Sequence, residues 1–403
     1  MKKSFATQPI KLKPTFRALN YTASLLSVLF LLIARNCAAQ TKSATINIVF
    51  TSDAHYGISR AKFRGDTSVT GHRVNAAMIS QINNLPNLEL PPDGGVNAGN
   101  KINAIDFVIE GGDITNRMEP PVQSSLLSWQ QFELDYIQNL KVKTSKGQPA
   151  RLLMIPGNHD ISNAIGFNKP MHPLTDPTAM VNIYNLMCHP GQPLTNQTYD
   201  YHQDKINYSL NIHGIHLQLI NLWPDSAERI WMAKDLDTVA ATTPVMIFTH
   251  DQPTSEPKHF TNPIPPYGIR PGFKFENLAE EHYKDSVGIT EDGSTNQEQR
   301  GWVSFLKKHT NIKAYFHGNS NWNENYVYHG PDNDVNLPTF RVDSPMKGKY
   351  SSKDETRLSF MLISLDPQKQ LLTVRECLWN TDPLNPKQKI FFGNSATISL
   401  KVK

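Results

Sequence analysis

Five short polar clusters each follow an apolar, β-like run. Asp53-Ala54-His55 follows TINIVFTS, Gly111-Gly112-Asp113 follows AIDFVIE, and Gly157-Asn158-His159-Asp160 follows RLLMIP. Thr249-His250 follows PVMIF, and Gly318-Asn319-Ser320-Asn321 follows IKAYF. A strand that ends in a carboxylate, an imidazole or an amide delivers that group to one rim of a sheet. Such a convergence is what a pair of divalent cations requires. Two cations a few ångströms apart can clamp the attacking and leaving oxygens of an in-line displacement at phosphorus, and they lower the pKa of a bound water. Side chains two apart in an extended segment point the same way, so Asp53 and His55 can reach one ion. Taken alone, an Asp at a strand end would more simply cap a turn.

The order and chemistry of the clusters resemble the calcineurin-like metallophosphoesterase superfamily, whose pattern runs D-x-H, G-D, G-N-H-D/E, a lone His, then G-H-x-H. The resemblance spans roughly residues 45 to 376, and four of the five elements match in order. It implies that Asp53 and His55 serve a first ion, that Asp113 bridges the two, and that Asn158 and His250 serve the second. It gives His159 to the leaving group as a general acid, and Asp160 is expected to hold that ring and keep it charged. The fifth element departs, because Asn319 and Asn321 stand where the pattern carries two metal-binding histidines. An amide oxygen is a neutral, hard ligand, suited to Mg²⁺ or Mn²⁺ and poorer than imidazole for Zn²⁺. His317 could compensate if strand alternation turned it toward the site. The implied cofactor is therefore two divalent metal ions (Mn, Mg, Fe or Zn), or one if the amides bind too weakly.

The implied activity is metal-dependent hydrolysis of a small-molecule phosphomonoester or phosphodiester, by attack of a metal-bound hydroxide. The alternative left open by the two asparagines is a weakened or inactive phosphoesterase-like binding module. Other histidines, among them His72, His189, His202, His259 and His309, have no partner at metal spacing and read as surface or loop residues.

The elements that must position these groups are legible in outline. The chain has 403 residues with 39% hydrophobic and 19% charged content, an ordinary globular balance. Residues 1–39 stand apart. Lys2, Lys3, Lys11, Lys13 and Arg17 precede an apolar stretch from Tyr21 to Ile33, and Cys37-Ala38-Ala39 follows. This reads as a cleaved signal peptide, because the apolar run falls short of the ~20 residues of a membrane span. A secreted or periplasmic protein is the expectation. Removing the leader takes six cations from a formal net charge of +4 and leaves −2, so no nucleic-acid footprint is expected. The mature chain keeps Cys188 and Cys377, which could pair or remain two buried thiols.

Residues 40–403 read as one domain. Apolar runs alternate with helical patterns near 70–85, 124–140, 177–187, 228–238 and 297–309, as in βαβ units. INYSLNIHGIHLQLINLW and RLSFMLISLD-PQK-QLLTVREC read as hairpins. The fold class expected is α/β (α+β), and the resemblance implies a four-layer αββα sandwich of two mixed β-sheets flanked by helices. The Pro- and Gly-rich stretch 251–296 is long for a plain connection and reads as a lid or substrate loop, in which Arg270 could meet a phosphate.

Overall fold

A computed structural model describes residues 45–116, 123–161, 176–260, 276, 278–279, 296–385 and 387–402. Cys37 and the rest of the leader, together with Arg270, lie outside the described residues.

The apolar runs become the inner strands of two six-stranded mixed sheets. In the first, β1 (Ile46–Thr51), β4 (Phe107–Glu110) and β5 (Arg151–Met154) run parallel. Beyond β1 the antiparallel strands β12 (Ser359–Asp366), β13 (Leu371–Leu378) and β14 (Phe391–Ser399) complete the sheet in the order β14-β13-β12-β1-β4-β5. In the second sheet, β7 (Ile215–Leu219), β8 (Val245–Phe248), β9 (Ile312–His317) and β11 (Leu337–Arg341) are parallel neighbours. The antiparallel strands β6 (Tyr208–Ile212) and β10 (Glu324–Tyr328) flank them. A small hairpin of β2 (Ser59–Phe63) and β3 (Asp66–Thr70) follows β1.

Every residue of β1, β7 and β8 is buried, which is why these segments read as unbroken apolar runs rather than alternating ones. Alternation nevertheless sorts their side chains. Ile48, Phe50, Ile109, Leu217, Leu219, Phe248, Phe316 and Phe340 belong to one core between the sheets. There Phe248 and Phe316 stack at 4.6 Å, Phe316 and Phe340 at 4.8 Å, and Phe50 of the first sheet meets Phe248 edge-on at 5.6 Å. Val49, Val108 and Met154 point the other way, into a core shared with the helices.

The helices fall close to where the periodicity places them. They are α1 (Gly71–Asn84), α2 (Ser125–Phe132), α3 (Asn158–Ile161), α4 (Thr178–Cys188), α5 (Ser226–Leu236) and α6 (Asn296–Lys308). Ser124 caps α2 by accepting from Leu127 N, and Asp225 caps α5 by accepting from Glu228 N, each satisfying one orphan donor of a first turn. The helical pattern expected over 124–140 is not one uniform helix. After Phe132 the chain widens into a π-turn over Glu133–Gln138, which places Tyr136 against Phe132 and its hydroxyl on Thr51 Oγ1 at 3.2 Å. Cys188 and Cys377 are separate thiols, the latter fully buried. No helix among the described residues is long and apolar enough to cross a membrane.

Candidate metal centre

All five polar clusters lie just past the carboxyl ends of parallel strands: β1, β4 and β5 in one sheet, β8 and β9 in the other. Backbone hydrogen bonds tie neighbouring turns together. Asp53 N donates to Gly112 O and His55 N to Asp113 O, while Gly318 N donates to His250 O. Among the bonds that cross between the sheets are His250 Nδ1 to Gly111 O at 2.8 Å, Asn319 N to Asp53 Oδ2 at 3.0 Å and Ser344 Oγ to Asp53 O at 2.8 Å.

These turns are tight. Asp53, His55, Asp113, Asn319 and Asn321 all adopt positive φ, between 43° and 65°, a region that non-glycine residues seldom occupy and that clusters at functional sites. The expectation that Asp53 and His55 share a direction through extended alternation is therefore corrected. They do come together, Asp53 Oδ1 lying 3.6 Å from His55 Nε2, but through two left-handed residues. Glycine completes the packing where no Cβ fits. At Gly112 (φ 96°) a Cβ would strike the backbone of Gly157 and the His250 ring.

Asp113 is the centre of the arrangement. Its Oδ2 lies 3.6 Å from His55 Nε2 and 3.8 Å from His159 Nε2, and its Oδ1 lies 3.4 Å from His250 Nε2. Two sets of ligand atoms each fit within 4.8 Å and share this residue: His55, Asp113 and His159, and Asp53, Asp113 and His250. Asp53 Oδ1, both ring nitrogens of His55, Asn158 Oδ1, His250 Nε2 and Asn321 Oδ1 are buried without hydrogen-bond partners. Buried polar atoms are ordinarily satisfied, so a cluster of orphaned oxygen and imidazole acceptors around a shared carboxylate fits divalent cations. Asp53, His55, Asp113 and His250 would hold them, and the Asn158 and Asn321 amide oxygens are candidates by their burial without hydrogen-bond partners.

The electrostatics agree. Burial alone would raise the Asp113 carboxyl, but His250, His159 and His55 hold it well below the usual carboxylate range. Burial likewise opposes charge on His250, yet Asp113 and Asp53 hold its imidazole well above the ordinary value.

A family model described as calcineurin-like phosphoesterase matches residues 46–342. The chain belongs to the calcineurin-like phosphoesterase family. Among solved structures it is similar to a dimetal phosphatase from Danio rerio, at 9% identity over 88% of this chain and 99% of that one, with a TM-score of 0.49. It is also similar to a phosphopantetheinyl hydrolase from Mycobacterium tuberculosis, at 11% identity over 75% and 91% of the two chains, with a TM-score of 0.34. No curated protein sequence matches it.

Within this calcineurin-like centre, several residues behave differently from expectation. Asp160 does not hold the His159 ring. Its carboxylate accepts from Ile114 N, Thr115 N, Thr115 Oγ1 and Gly157 N at 2.9–3.2 Å, so it pins the turn after β4 to the turn after β5. Burial and the nearby Asp113 charge raise its pKa to about 6, against the lowering effect of those backbone donors. His159 instead sets its ring edge-on to His55 at 5.1 Å, and its Nε2 lies 3.3 Å from Lys347 Nζ. Burial and Lys347 push that imidazole well below its ordinary value despite Asp113.

His317 turns away from the centre, bonded through Nδ1 to Gly318 O and through Nε2 to the Tyr326 hydroxyl. His216 is spent in a structural network with Asn211 and Asp235. Glu324 pairs with Arg341. Asn319 is at the rim, but its amide Nδ2 donates to Asp251 Oδ1 at 3.0 Å.

Three residues beside the site were not anticipated: Asp251, His259 and Lys347. His259, expected at the surface, is fully buried with its Nδ1 on Asp251 Oδ2. Asp251 directly follows His250, a signal available in the sequence. Lys347 reaches Asn116 Oδ1 at 2.9 Å as well as His159, and its spacing gave no hint of this.

A cation that binds only the folded chain raises its stability, by about 2.7 kcal/mol at a hundredfold excess over Kd. Chelator-treated protein is therefore expected to melt lower and to recover with added Mn²⁺, while Asp113→Ala shows no Mn²⁺ response. Equal melting of the wild type with and without Mn²⁺ would contradict a cation site here.

Proposed function

We propose that this calcineurin-like phosphoesterase hydrolyses small-molecule phosphomonoesters at two divalent cations. The observation that carries the proposal is the buried Asp113 carboxylate between His55 on one oxygen and His250 on the other, with Asp53 beside them and acceptors there left without hydrogen-bond partners. Bound there, the cations supply Lewis acidity that activates water and neutralises phosphoryl charge. The chain's own residues do the rest. Asp53 and Asp113 provide the countercharge, and the backbone bonds between turns fix their positions. His250 donates through Nδ1 to Gly111 O, which directs its Nε2 at Asp113.

His159 and Lys347 form the proton-delivering edge. Burial and Lys347 disfavour the imidazolium in the unliganded site. The charge of a bound phosphate dianion opposes that effect, so His159 takes up the proton that a departing alkoxide needs while Lys347 stabilises the developing negative charge. Lys258 acts on the same imidazole electrostatically. The Lys347 ammonium beside the ring, with Lys258 adding positive charge at longer range, favours a dianionic monoester over a singly charged diester.

The test compares a nitrophenyl phosphate and its bis-ester, each with Mn²⁺ or Mg²⁺. Metal-dependent turnover favouring the monoester, abolished by Asp113→Ala, is expected. No ion uptake and no turnover of either ester would instead favour a binding module. His159→Gln is expected to slow an alkyl phosphate by about 10²–10⁴-fold, the usual worth of a general acid. It should slow nitrophenyl phosphate far less, because that leaving group needs little protonation. Equal losses on both substrates would remove His159 from the proton-transfer role.

We further propose that the protein is exported, supported by the basic, apolar and small-residue succession over residues 1–39. N-terminal sequencing of protein expressed in its native host is expected to begin near Gln40. A retained Met1 would count against export by cleavage.

A further inference from the structure

One turn-rich segment, residues 343–351, connects the metal centre to its rim, and the fold grips it at both ends. Buried Arg60, from the β2–β3 hairpin, donates through Nη1 to Pro345 O at 2.9 Å and through Nη2 to Ser351 O. Ser344 Oγ donates to Asp53 O at 2.8 Å and accepts from Met346 N and Lys347 N. At Gly348 a Cβ would strike Ser351 Oγ and Asp343 Oδ1. A buried clasp and a position where no side chain fits hold the segment to one path.

That path delivers two lysines to different places. Lys347 Nζ reaches Asn116 Oδ1 and His159 Nε2 at the proton-delivering edge. Lys349 N donates to Asn321 O at 2.6 Å, and its ammonium lies 4.0 Å from the centroid of the Trp322 ring. One glycine separates the two lysines, so at most about 7 Å of backbone divides them. A leaving group that emerges past Lys347 therefore meets Lys349 next.

The rim there is cationic and aromatic. Trp322 meets Tyr350 edge-on at 6.4 Å, and the Arg357 guanidinium lies 4.8 Å from the Tyr350 ring centroid. Arg341 lies over Trp322 at 3.3 Å, but its charge is paired with Glu324. Lys349 and Arg357 differ, because among the described residues neither is paired with a carboxylate. The acids near them in sequence are engaged elsewhere. Asp354 accepts from Thr356 N and Oγ1, and Glu355 accepts from Arg64 N and Asn380 Nδ2. An aromatic ring seats a cation without cancelling its charge, so both cations remain able to receive an anion. With Arg341 and Lys349 already on it, the Trp322 ring serves as a seat for cations rather than a platform for a stacked base.

We infer that Lys349 and Arg357, seated on Trp322 and Tyr350, form a subsite for a second phosphate group carried by the leaving alcohol. The inference rests on the phosphomonoesterase reading and names its substrate class: small bisphosphorylated alcohols. Arg60 and Gly348 are positioning residues, since they fix the segment that presents both lysines.

The test compares kcat/KM, with Mn²⁺, for butane-1,4-diol bisphosphate, butyl phosphate and 4-phenylbutyl phosphate. It uses the full mature chain and a Lys349→Gln, Arg357→Gln double variant. Glutamine at 349 removes the ammonium and keeps the backbone bond to Asn321. Thermal melting confirms that the variant is folded, and Arg357→Gln alone carries the test if the double variant is not. The wild type is expected to favour the bisphosphate over butyl phosphate by about 5–30-fold, the worth of one or two exposed ion pairs, beyond the twofold given by its two equivalent ends. The preference is expected in KM, to shrink as salt is raised, and to fall several-fold in the double variant. The phenyl arm is expected to gain nothing.

A bisphosphate preference that is absent in the wild type, or unchanged in the double variant, would overturn the subsite and leave the phosphomonoesterase standing. A gain for the phenyl arm in place of the bisphosphate would overturn it in favour of an aromatic site. A wild type that turns over none of the three esters would overturn the phosphomonoesterase reading and the subsite with it.

Discussion

The structure is organised around a buried negative charge that the protein alone does not neutralise. Asp113 is 2% exposed, and Asp53, Asp160 and Glu110 close in around it with no exposure at all. Removing a carboxylate from water costs several kcal/mol unless hydrogen bonds and opposite charge compensate. For Asp160 the compensation is visible: three backbone N–H groups and a hydroxyl fill its oxygens. For Glu110, Gly112 N supplies one donor. Asp53 and Asp113 instead face imidazoles, His55 beside both and His250 on Asp113. The difference separates the carboxylates that brace the turns from those that meet cations.

Holding such a cluster requires a frame that resists its own repulsion. Five residues of the centre sit at positive φ, a conformation worth about 1–3 kcal/mol of strain each where the surroundings enforce it. Enforcement comes from two levels. Bonds between adjacent turns fix the backbone locally. Beneath them, the phenylalanine stack of Phe248, Phe316 and Phe340 locks one sheet against Phe50 of the other. Groups delivered from separate sheets are thereby held to fixed separations, as preorganised catalysis demands. Substrate chemistry, in this account, is a consequence of packing far below the rim.

Much of this was legible in the sequence because it is local. Strands buried on both faces appear as apolar runs, and a polar cluster directly after each run marks its carboxyl end. The helices at 71–84, 178–188 and 226–236 follow from periodicity and flanking residues. What escaped depends on contacts between distant segments. The duty of Asp160 is set by donors at Ile114 and Thr115, some 45 residues away. Lys347 reaches His159 across 188 positions, and no spacing rule connects them. His259 looked like one loop histidine among several, and only its burial against Asp251 distinguishes it. The direction of His317 turned on alternation at the last residue of β9, which the sequence left open and Tyr326 decides. The widening after Phe132 was equally hidden, since a π-turn leaves the three-to-four residue stepping nearly intact.

The most direct test of the account is a crystal of the protein grown with Mn²⁺, with anomalous diffraction recorded near the manganese edge. Two anomalous peaks about 3.5–4 Å apart, one on either side of the Asp113 carboxylate, are the predicted result. Strong anomalous density elsewhere in the molecule with none beside Asp113 would contradict it.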